Sequence, residues 1–335
     1  MTLEISSDTS VTSILEGSRL DYRALGLIRN PFESIPVFSE LQPVPFNNYL
    51  RHHVRRLYSL INNTTSMRPA CVYLIGPSGC GKSAILRAFS QIPDKRKSIL
   101  PIYTRFPLAG GIMAFFNELF RRLPIPLLEL IFSCVRDDYR RRISTHIGWK
   151  LFSAGLCRDL WKSRDAVKIS PQYAIKSIVD LFSILLDGTG RKRIALILDE
   201  FEHAWARFTG PQKYNWEKAI AELFHQLKSR VILVLPVLPE SIILGSRPYW
   251  GMYDWEGVNL NEILEVTNDN ILKVDCSESS INKCIHSIMH REILDLRGEG
   301  LCNTLLSTQG SYPTLGAAIL DLHDKILAMA RGHGN

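Results

Sequence analysis

One short segment limits the choice of fold more than any other feature of this chain: the glycine-rich stretch GPSGCGKS at residues 76–83. The apolar run from Ala70 to Ile75 precedes it and has the length of a buried strand. Residues 84–92 follow with helical character, and Pro93 ends them. A strand, a glycine turn and a helix in this order predict an α/β sheet, with the turn at the carboxyl end of a strand, where such sheets bind ligands.

The spacing of this segment is typical of a loop that binds phosphate. Gly76, Gly79 and Gly81 let the backbone turn tightly, so that successive N–H groups can point at one anion. The helix that follows presents its positive amino end to the same anion. Lys82 can reach the β- and γ-phosphates of a nucleotide, and the Ser83 hydroxyl can coordinate Mg²⁺. The predicted nucleotide-binding residues are Gly76, Pro77, Ser78, Gly79, Cys80, Gly81, Lys82, Ser83 and Ala84.

An acidic pair ends a second apolar run farther along the chain. Asp199 and Glu200 directly follow Ile-Ala-Leu-Ile-Leu at 194–198. The carboxyl ends of parallel strands meet at one edge of a sheet, so we expect this pair near the glycine loop, although a solvated strand end is the alternative. Asp199 is predicted to hold Mg²⁺ through its water shell, and Glu200 to orient or deprotonate the water that attacks the γ-phosphate. Glu200 and Lys82 are therefore the predicted catalytic residues.

The wider pattern of apolar runs predicts the architecture. The strand-length runs lie at 70–75, 99–106, 194–198 and 231–235. They alternate with helical segments, which is typical of a parallel α/β sheet covered on both faces. Residues 110–165 have helical periodicity and are interpreted as an insertion. The three predicted regions are a flexible arm at 1–45, an α/β core at 46–248 and a smaller helical domain at 249–335.

Composition limits the class of protein. With 46% hydrophobic and 22% charged residues, the chain has the composition of a folded globular protein. Its most apolar stretch, at 106–120, includes Asn117 and Glu118 and is shorter than the ~20 residues of a membrane span, so no membrane partner is expected. The seven cysteines form no C-x-x-C pair, which favours reduced thiols in a cytoplasmic protein over a zinc site or a disulfide framework.

The basic residues are unevenly distributed. The net charge is +7, which permits an acidic partner without requiring one. Four basic stretches lie at 51–56, 94–97, 136–142 and 191–193. Such stretches can neutralise DNA phosphates in a salt-dependent way, although most charged runs are solvated faces. DNA is therefore one candidate partner.

Four motifs together resemble those of the AAA+ and STAND ATPases, in particular the branch of origin-recognition initiators and transposon ATP-binding subunits. They are LIRNPFESIPV at 27–37, GPSGCGKS at 76–83 as a Walker A motif, LILDEF at 196–201 as a Walker B motif, and GSYPTL at 310–315 as a lid-domain turn. The resemblance implies a P-loop NTPase core of the AAA+ type with a helical lid, and ATP and Mg²⁺ as cofactors. It also implies a protein partner or a homo-oligomer.

Departures from the family pattern affect the expected rate of ATP hydrolysis. The strand at 231–235 continues into PVLPES rather than ending in a clear polar sensor, which leaves Glu240 and Ser241 as candidates. Thr314 stands where the lid often carries an arginine. Because one cation for the transition state is then missing, hydrolysis is expected to be slow or partner-stimulated. Arg247 is a candidate arginine finger acting on a neighbouring subunit, or else a surface arginine.

Two functions stay open at this level. The first is an ATP-dependent switch or loader in a DNA-linked process, such as the movement of a mobile element, replication or defence. The second is a signalling or defence ATPase whose nucleotide state controls assembly with a partner protein, without direct binding of nucleic acid. A metabolic kinase is less favoured, because an Asp-Glu pair on a distant strand and a helical lid are not typical of one.

Overall fold

The four predicted strand runs lie in one parallel sheet together with a fifth, shorter strand. The strands of this sheet are β1 (Cys71–Ile75), β2 (Ile99–Arg105), β3 (Arg193–Asp199), β4 (Val231–Val237) and β7 (Ile271–Lys273). Two short strands, β5 (Asp254–Trp255) and β6 (Val258–Asn259), pair antiparallel to each other. The sheet order is β2-β3-β4-β1-β7, and each neighbouring pair is parallel. Parallel neighbours need crossover connections, which helices supply, so the predicted α/β class is confirmed.

The computed structural model describes most of the chain outside three long stretches and several shorter ones. The described residues are 21–29, 31, 48–63, 71–91, 98–107, 111–123, 127, 130, 171–241, 254–255, 258–259, 263–274, 277–290, 293–307, 312 and 315–332. Within them, the α-helices are α1 (Asn48–Asn63), α2 (Lys82–Gln91), α3 (Gly111–Arg122), α4 (Pro171–Thr189), α5 (Phe201–Arg207), α6 (Gly210–Leu227), α7 (Glu278–Met289), α8 (Leu296–Ser307) and α9 (Leu315–Gly332).

Helices pack on the sheet because its strands are apolar on both faces. Alternate residues of β1 to β4 join α3, α4 and α6 in one hydrophobic cluster, in which Leu196, Leu233 and Trp216 are fully buried. Burying a side chain of this size on folding stabilises the folded state by roughly 1.5–3 kcal/mol. The intervening residues of a strand point to the opposite face, as Tyr103 does between Ile102 and Thr104. The helix α2 packs against β2 and β3 there.

The register of the sheet sets the position of the candidate site. Arg105, the last residue of β2, is aligned with Asp199, the last residue of β3. Ile75 and Val237 are aligned in the same way at the ends of β1 and β4. The glycine loop and the acidic pair therefore leave the sheet at the same edge.

The chain divides into two compact units, Leu50–Val274 and a second made of Met1–Tyr49 with Asp275–Asn335. The division lies after Val274 rather than after residue 248 as predicted. The reason is β7, which is only three residues long and gives little sequence signal but pairs with β1. The Val274 N–H extends this pairing by donating to the Ile75 carbonyl oxygen at 2.8 Å. Of the predicted insertion, α3 and a few residues up to 130 are described, and 131–165 lies outside the described residues.

The second unit is helical and contains residues from both parts of the chain. Leu25 and Leu27 are buried in a cluster with apolar residues of α7, α8 and α9. Leu27 forms an antiparallel bridge with Ile293, and the Leu294 N–H donates to the Gly26 carbonyl oxygen at 2.8 Å. Leu25, Gly26 and Leu27 are thus packed, which differs from the flexible arm predicted for 1–45. The rest of that arm lies outside the described residues except for residue 31.

Candidate phosphate and magnesium site

The glycine loop turns as its spacing predicts. Gly79 and Gly81 have φ values of 76° and 92°, a region in which residues with a side chain are strained. The Gly76 N–H donates to the Val237 carbonyl oxygen at 3.3 Å, which ties the start of the loop to β4. Cys80 is buried at 1% exposure inside the turn, so its thiol supports the loop rather than facing a ligand. These contacts fix the loop directly before the amino end of α2.

Lys82 begins α2 and folds back over the loop. Its ammonium group donates to the carbonyl oxygens of Gly76 at 2.5 Å and of Pro77 at 3.1 Å. An ammonium group has three donors, so it can exchange a carbonyl for a phosphate oxygen with little displacement of the side chain. Lys82 is therefore placed over the concave side of the loop, where a phosphate chain would lie.

Asp199 is the centre of the acidic half of the site. The residue is 4% exposed, and both carboxylate oxygens accept hydrogen bonds. Oδ1 accepts from the Ser83 hydroxyl and from the Glu200 N–H, both at 3.1 Å. Oδ2 accepts from the Tyr103 hydroxyl at 2.6 Å. The Ser83–Asp199 contact brings the two predicted magnesium ligands together across 116 residues of sequence.

Glu200 has an unusual backbone conformation. Its φ of 63° places it in the left-handed region, which costs a residue with a side chain of the order of 1 kcal/mol. The conformation turns the chain sharply from β3 into α5, for which Glu200 is the residue before the first turn. Strain of this kind is common at functional sites, because it aims a side chain that a regular strand end could not.

The Glu200 carboxylate is held by a neighbouring strand. Oε1 lies 3.6 Å from an Arg105 guanidinium nitrogen, and Oε2 lies 4.0 Å from His203 Nε2. Arg105 and Asp199 share a register position, so the arginine reaches the residue directly after its sheet partner. Glu200 is therefore paired with a cation rather than directed only toward solvent.

Glu202 links α5 to the end of β4. Its Oε2 accepts a hydrogen bond from the Leu238 N–H at 2.9 Å. Partial burial raises the pKa of this carboxyl above its usual range, against the opposing effects of that hydrogen bond and of the Lys82 charge. Glu240, the candidate sensor, lies in the short turn Pro239–Ser241 and is exposed. Glu202 is thus tied to the strand end at which the sensor was expected.

The donor set fits a magnesium–nucleotide complex. Mg²⁺ prefers hard oxygen ligands and commonly takes one or two protein groups together with water and substrate phosphates. Ser83 and Asp199 offer one hydroxyl and one carboxylate at a mutual distance of 3.1 Å, beside a loop that can hold the phosphates. In the part of the chain that the structure describes, no group of three or more His, Cys, Asp or Glu side chains could hold a metal by itself. A magnesium ion here would depend on the phosphate for most of its non-water ligands.

The structure brings together the glycine loop, Lys82, Ser83, Asp199 and Glu200, and their chemical roles stay predictions. Arg247 lies outside the described residues, as do the basic stretches at 94–97 and 136–142. No motif predicted a role for Arg87, Tyr103 or Arg105. The available signal was two polar side chains near the carboxyl end of β2, the edge at which ligands bind.

A match to one protein family agrees with the geometry of this site. A family model described as the AAA ATPase domain matches residues 50–234, which is more than half of the chain. No curated protein matches. The solved structure of C. elegans PCH-2 is similar with 12% sequence identity and a TM-score of 0.34, over 89% of this chain and 72% of that chain. At that TM-score the likeness bears on neither fold nor function. Among the helices that the structure describes, none is both long and apolar enough to cross a membrane.

Proposed function

This chain belongs to the AAA ATPase domain family, and we propose that it is an ATP-driven switch or loader that hydrolyses ATP slowly in a DNA-linked process. The observation that carries the proposal is the meeting of Ser83 and Asp199 at 3.1 Å beside Lys82 and Glu200. A hydroxyl, a carboxylate, an ammonium group and a second carboxylate are the side chains that bind and hydrolyse a nucleotide in P-loop proteins. The proposal that the chain belongs to the branch of origin-recognition initiators and transposon ATP-binding subunits rests on the four motifs described above.

Each residue has a defined part in the proposed reaction. The N–H groups of the glycine loop and the Lys82 ammonium group bind the β- and γ-phosphates and offset their charge. Ser83 and Asp199 hold Mg²⁺, which supplies further neutralisation of the phosphate oxygens. Glu200 accepts a hydrogen bond from the attacking water and receives its proton. Cys80 and the other loop residues act through the backbone.

Slow hydrolysis follows from the pairing of Glu200. The Glu200 carboxylate lies 3.6 Å from the Arg105 guanidinium and points toward β2 rather than freely toward a water molecule. The pair must open before Glu200 can act, and a partner that binds Arg105 would favour the open form. Partner-stimulated hydrolysis is therefore the proposed mode of regulation.

The substitution Glu200→Gln tests whether Glu200 is the general base. Glu200→Gln keeps the size of the side chain but cannot accept a proton, so ATP should still bind while hydrolysis falls at least ~100-fold. Binding is measured with a fluorescent ATP analogue and hydrolysis by phosphate release. Glu222→Gln on α6, a half-buried glutamate that accepts a hydrogen bond from Gln226, is the matched control and should hydrolyse at the wild-type rate. Wild-type hydrolysis by Glu200→Gln would overturn the assignment.

Helix α1 supports the DNA-linked part of the proposal. Arg51, His52, Arg55 and Arg56 are all exposed, and the helix contains no acidic residue. Exposed basic side chains on one helix can neutralise the phosphates of a DNA backbone. We expect weak, sequence-independent binding of double-stranded DNA that falls with salt, measured by fluorescence anisotropy. Arg51→Gln/Arg55→Gln should weaken it and flatten its salt dependence, whereas no binding by wild type at low salt with ATP would remove DNA from the proposal.

A protein-controlled assembly switch is the second candidate. Ile28, Leu294 and Leu296 in the helical unit are 57%, 53% and 80% exposed, and large apolar side chains at that exposure favour a protein contact. Light scattering of Glu200→Gln with and without ATP separates the candidates. A mass that rises with ATP in the absence of DNA favours assembly, and an unchanged mass disfavours it. The cysteine spacing in the sequence, with no C-x-x-C pair, supports a cytoplasmic location for either function.

A further inference from the structure

Asp199 receives a hydrogen bond from a residue outside the four motifs described above. The Tyr103 hydroxyl donates to Asp199 Oδ2 at 2.6 Å, while Ser83 occupies the other oxygen, Oδ1. Tyr103 lies in β2, on the face that α2 covers, and its ring is partly buried. The two carboxylate oxygens of Asp199 thus have different side-chain partners. The bond from Tyr103 to Oδ2 leaves Oδ1 facing Ser83.

Tyr103 is itself held by α2. The Arg87 Nε donates to the Tyr103 hydroxyl oxygen at 3.2 Å, and the guanidinium carbon lies 5.7 Å from the centre of the tyrosine ring. Arg87 follows Ser83 by four residues, so one face of α2 contacts Asp199 twice, directly through Ser83 and indirectly through Arg87 and Tyr103. Hydrogen bonds in such a chain polarise and strengthen one another.

Burial is the main cause that raises the pKa of Tyr103 well above its usual range, and the negative charge of Asp199 adds to it.

We propose that Tyr103 is a positioning residue of the magnesium site: its hydroxyl, oriented by Arg87, holds Asp199 Oδ2 so that Oδ1 faces the metal side with Ser83. The inference rests on the proposed function, because it concerns the same site. Hydrogen-bond partners of metal ligands typically change metal affinity by about 10- to 100-fold when they are lost. The expected effect is on the affinity for the metal rather than on the loop that binds phosphate.

Tyr103→Phe removes the hydroxyl and keeps the ring. The Mg²⁺ concentration that gives half-maximal enhancement of nucleotide binding should rise roughly 10-fold, while affinity for a fluorescent ATP analogue in excess EDTA stays unchanged. Direct binding of Mn²⁺ with ATP, followed by electron paramagnetic resonance, should weaken by the same factor. Neither readout depends on turnover.

A second tyrosine in the sheet provides the matched control. The Tyr73 hydroxyl on β1 donates to the Leu264 carbonyl oxygen at 2.7 Å, so Tyr73→Phe also removes one buried hydroxyl bond but touches none of the proposed metal ligands. It should leave the Mg²⁺ dependence unchanged. A Tyr103→Phe protein with wild-type Mg²⁺ dependence, or an equal shift in Tyr73→Phe, would overturn the inference. If Tyr103→Phe does not fold, Arg87→Gln takes its place, with a smaller shift expected and an unchanged value refuting the inference.

The outcomes separate this inference from the proposed function. A wild-type protein that binds no nucleotide contradicts the proposed function, whatever Tyr103 does. A wild-type protein that binds nucleotide with Mg²⁺, beside a Tyr103→Phe variant of equal metal affinity, contradicts only the role of Tyr103.

Discussion

Replacing Arg105 with glutamine should increase the rate of ATP hydrolysis. In the structure the arginine lies 3.6 Å from Glu200 Oε1, and the two side chains are 42% and 33% exposed. If Glu200 is the base, it must leave this ion pair before it can accept a proton, and the free energy of the pair is part of the barrier. Arg105→Gln removes that part and keeps most of the volume of the side chain.

The size of the effect follows from the distance and the exposure. Two unit charges at this separation attract by about 1 kcal/mol when the surroundings screen them as water does. Measured pairs at exposed positions contribute about 0.2–1 kcal/mol, so the lower screening of a buried pair does not apply here. The barrier should fall by up to about 1 kcal/mol, which corresponds to an increase in kcat of roughly 1.4- to 5-fold.

Steady-state phosphate release at saturating ATP and Mg²⁺ measures this change. The increase should shrink as KCl is raised from ~0.05 to ~0.5 M, because salt weakens the wild-type pair and leaves the variant unaffected. Arg230→Gln, which removes a surface pair with Asp187 at 3.1 Å, is the matched control and should not change kcat. A lower kcat in Arg105→Gln would contradict this reasoning, since it would mean that Arg105 stabilises the reacting phosphate rather than restraining Glu200.

Two further predictions concern stability. Phe106 is 1% exposed, and its ring centre lies 4.6–5.5 Å from the ring centres of Trp216, Phe201, Phe115 and Phe208. Phe106→Ala should therefore lower the free energy of unfolding, measured in urea, by about 3–5 kcal/mol. A loss below ~1 kcal/mol would show that the aromatic cluster does not form. For Glu202, a raised folded-state pKa means that its contribution to stability is complete below the unfolded pKa and is lost as pH rises through the folded pKa. Glu202→Gln should therefore gain stability relative to wild type as the pH rises above about 4 in urea titrations. A difference that is constant with pH would contradict the burial of this carboxyl.

The sequence predicts those parts of the site that local rules determine. The spacing of the glycines predicts Lys82 and Ser83 as site residues, and an apolar strand that ends in an acidic residue predicts Asp199. Their meeting follows from the parallel sheet, in which all carboxyl strand ends share one edge. These inferences need only the type and direction of each strand.

Other parts depend on pairing that the sequence does not reveal. Tyr103 and Arg105 reach Asp199 and Glu200 because β2 is aligned with β3 in one particular register, and a shift by one residue would turn both side chains to the other face. The strand β7 is stabilised by its hydrogen bonds to β1 rather than by its own three residues. The packing of Leu25 and Leu27 is likewise tertiary, since an extended segment beside prolines has no periodicity that indicates its partner.

Calorimetric titration of the folded protein with Mg²⁺ and ATP tests the central claim most directly. The wild-type protein should release or absorb measurable heat with a one-to-one stoichiometry, and Lys82→Ala should show none, because the ammonium group over the loop is lost. Lys325→Ala, a lysine paired with Asp321 in the helical unit, is the matched control and should bind as the wild type does. A wild-type protein that gives no heat with any magnesium–nucleotide complex, or a Lys82→Ala variant that binds equally well, would contradict the account.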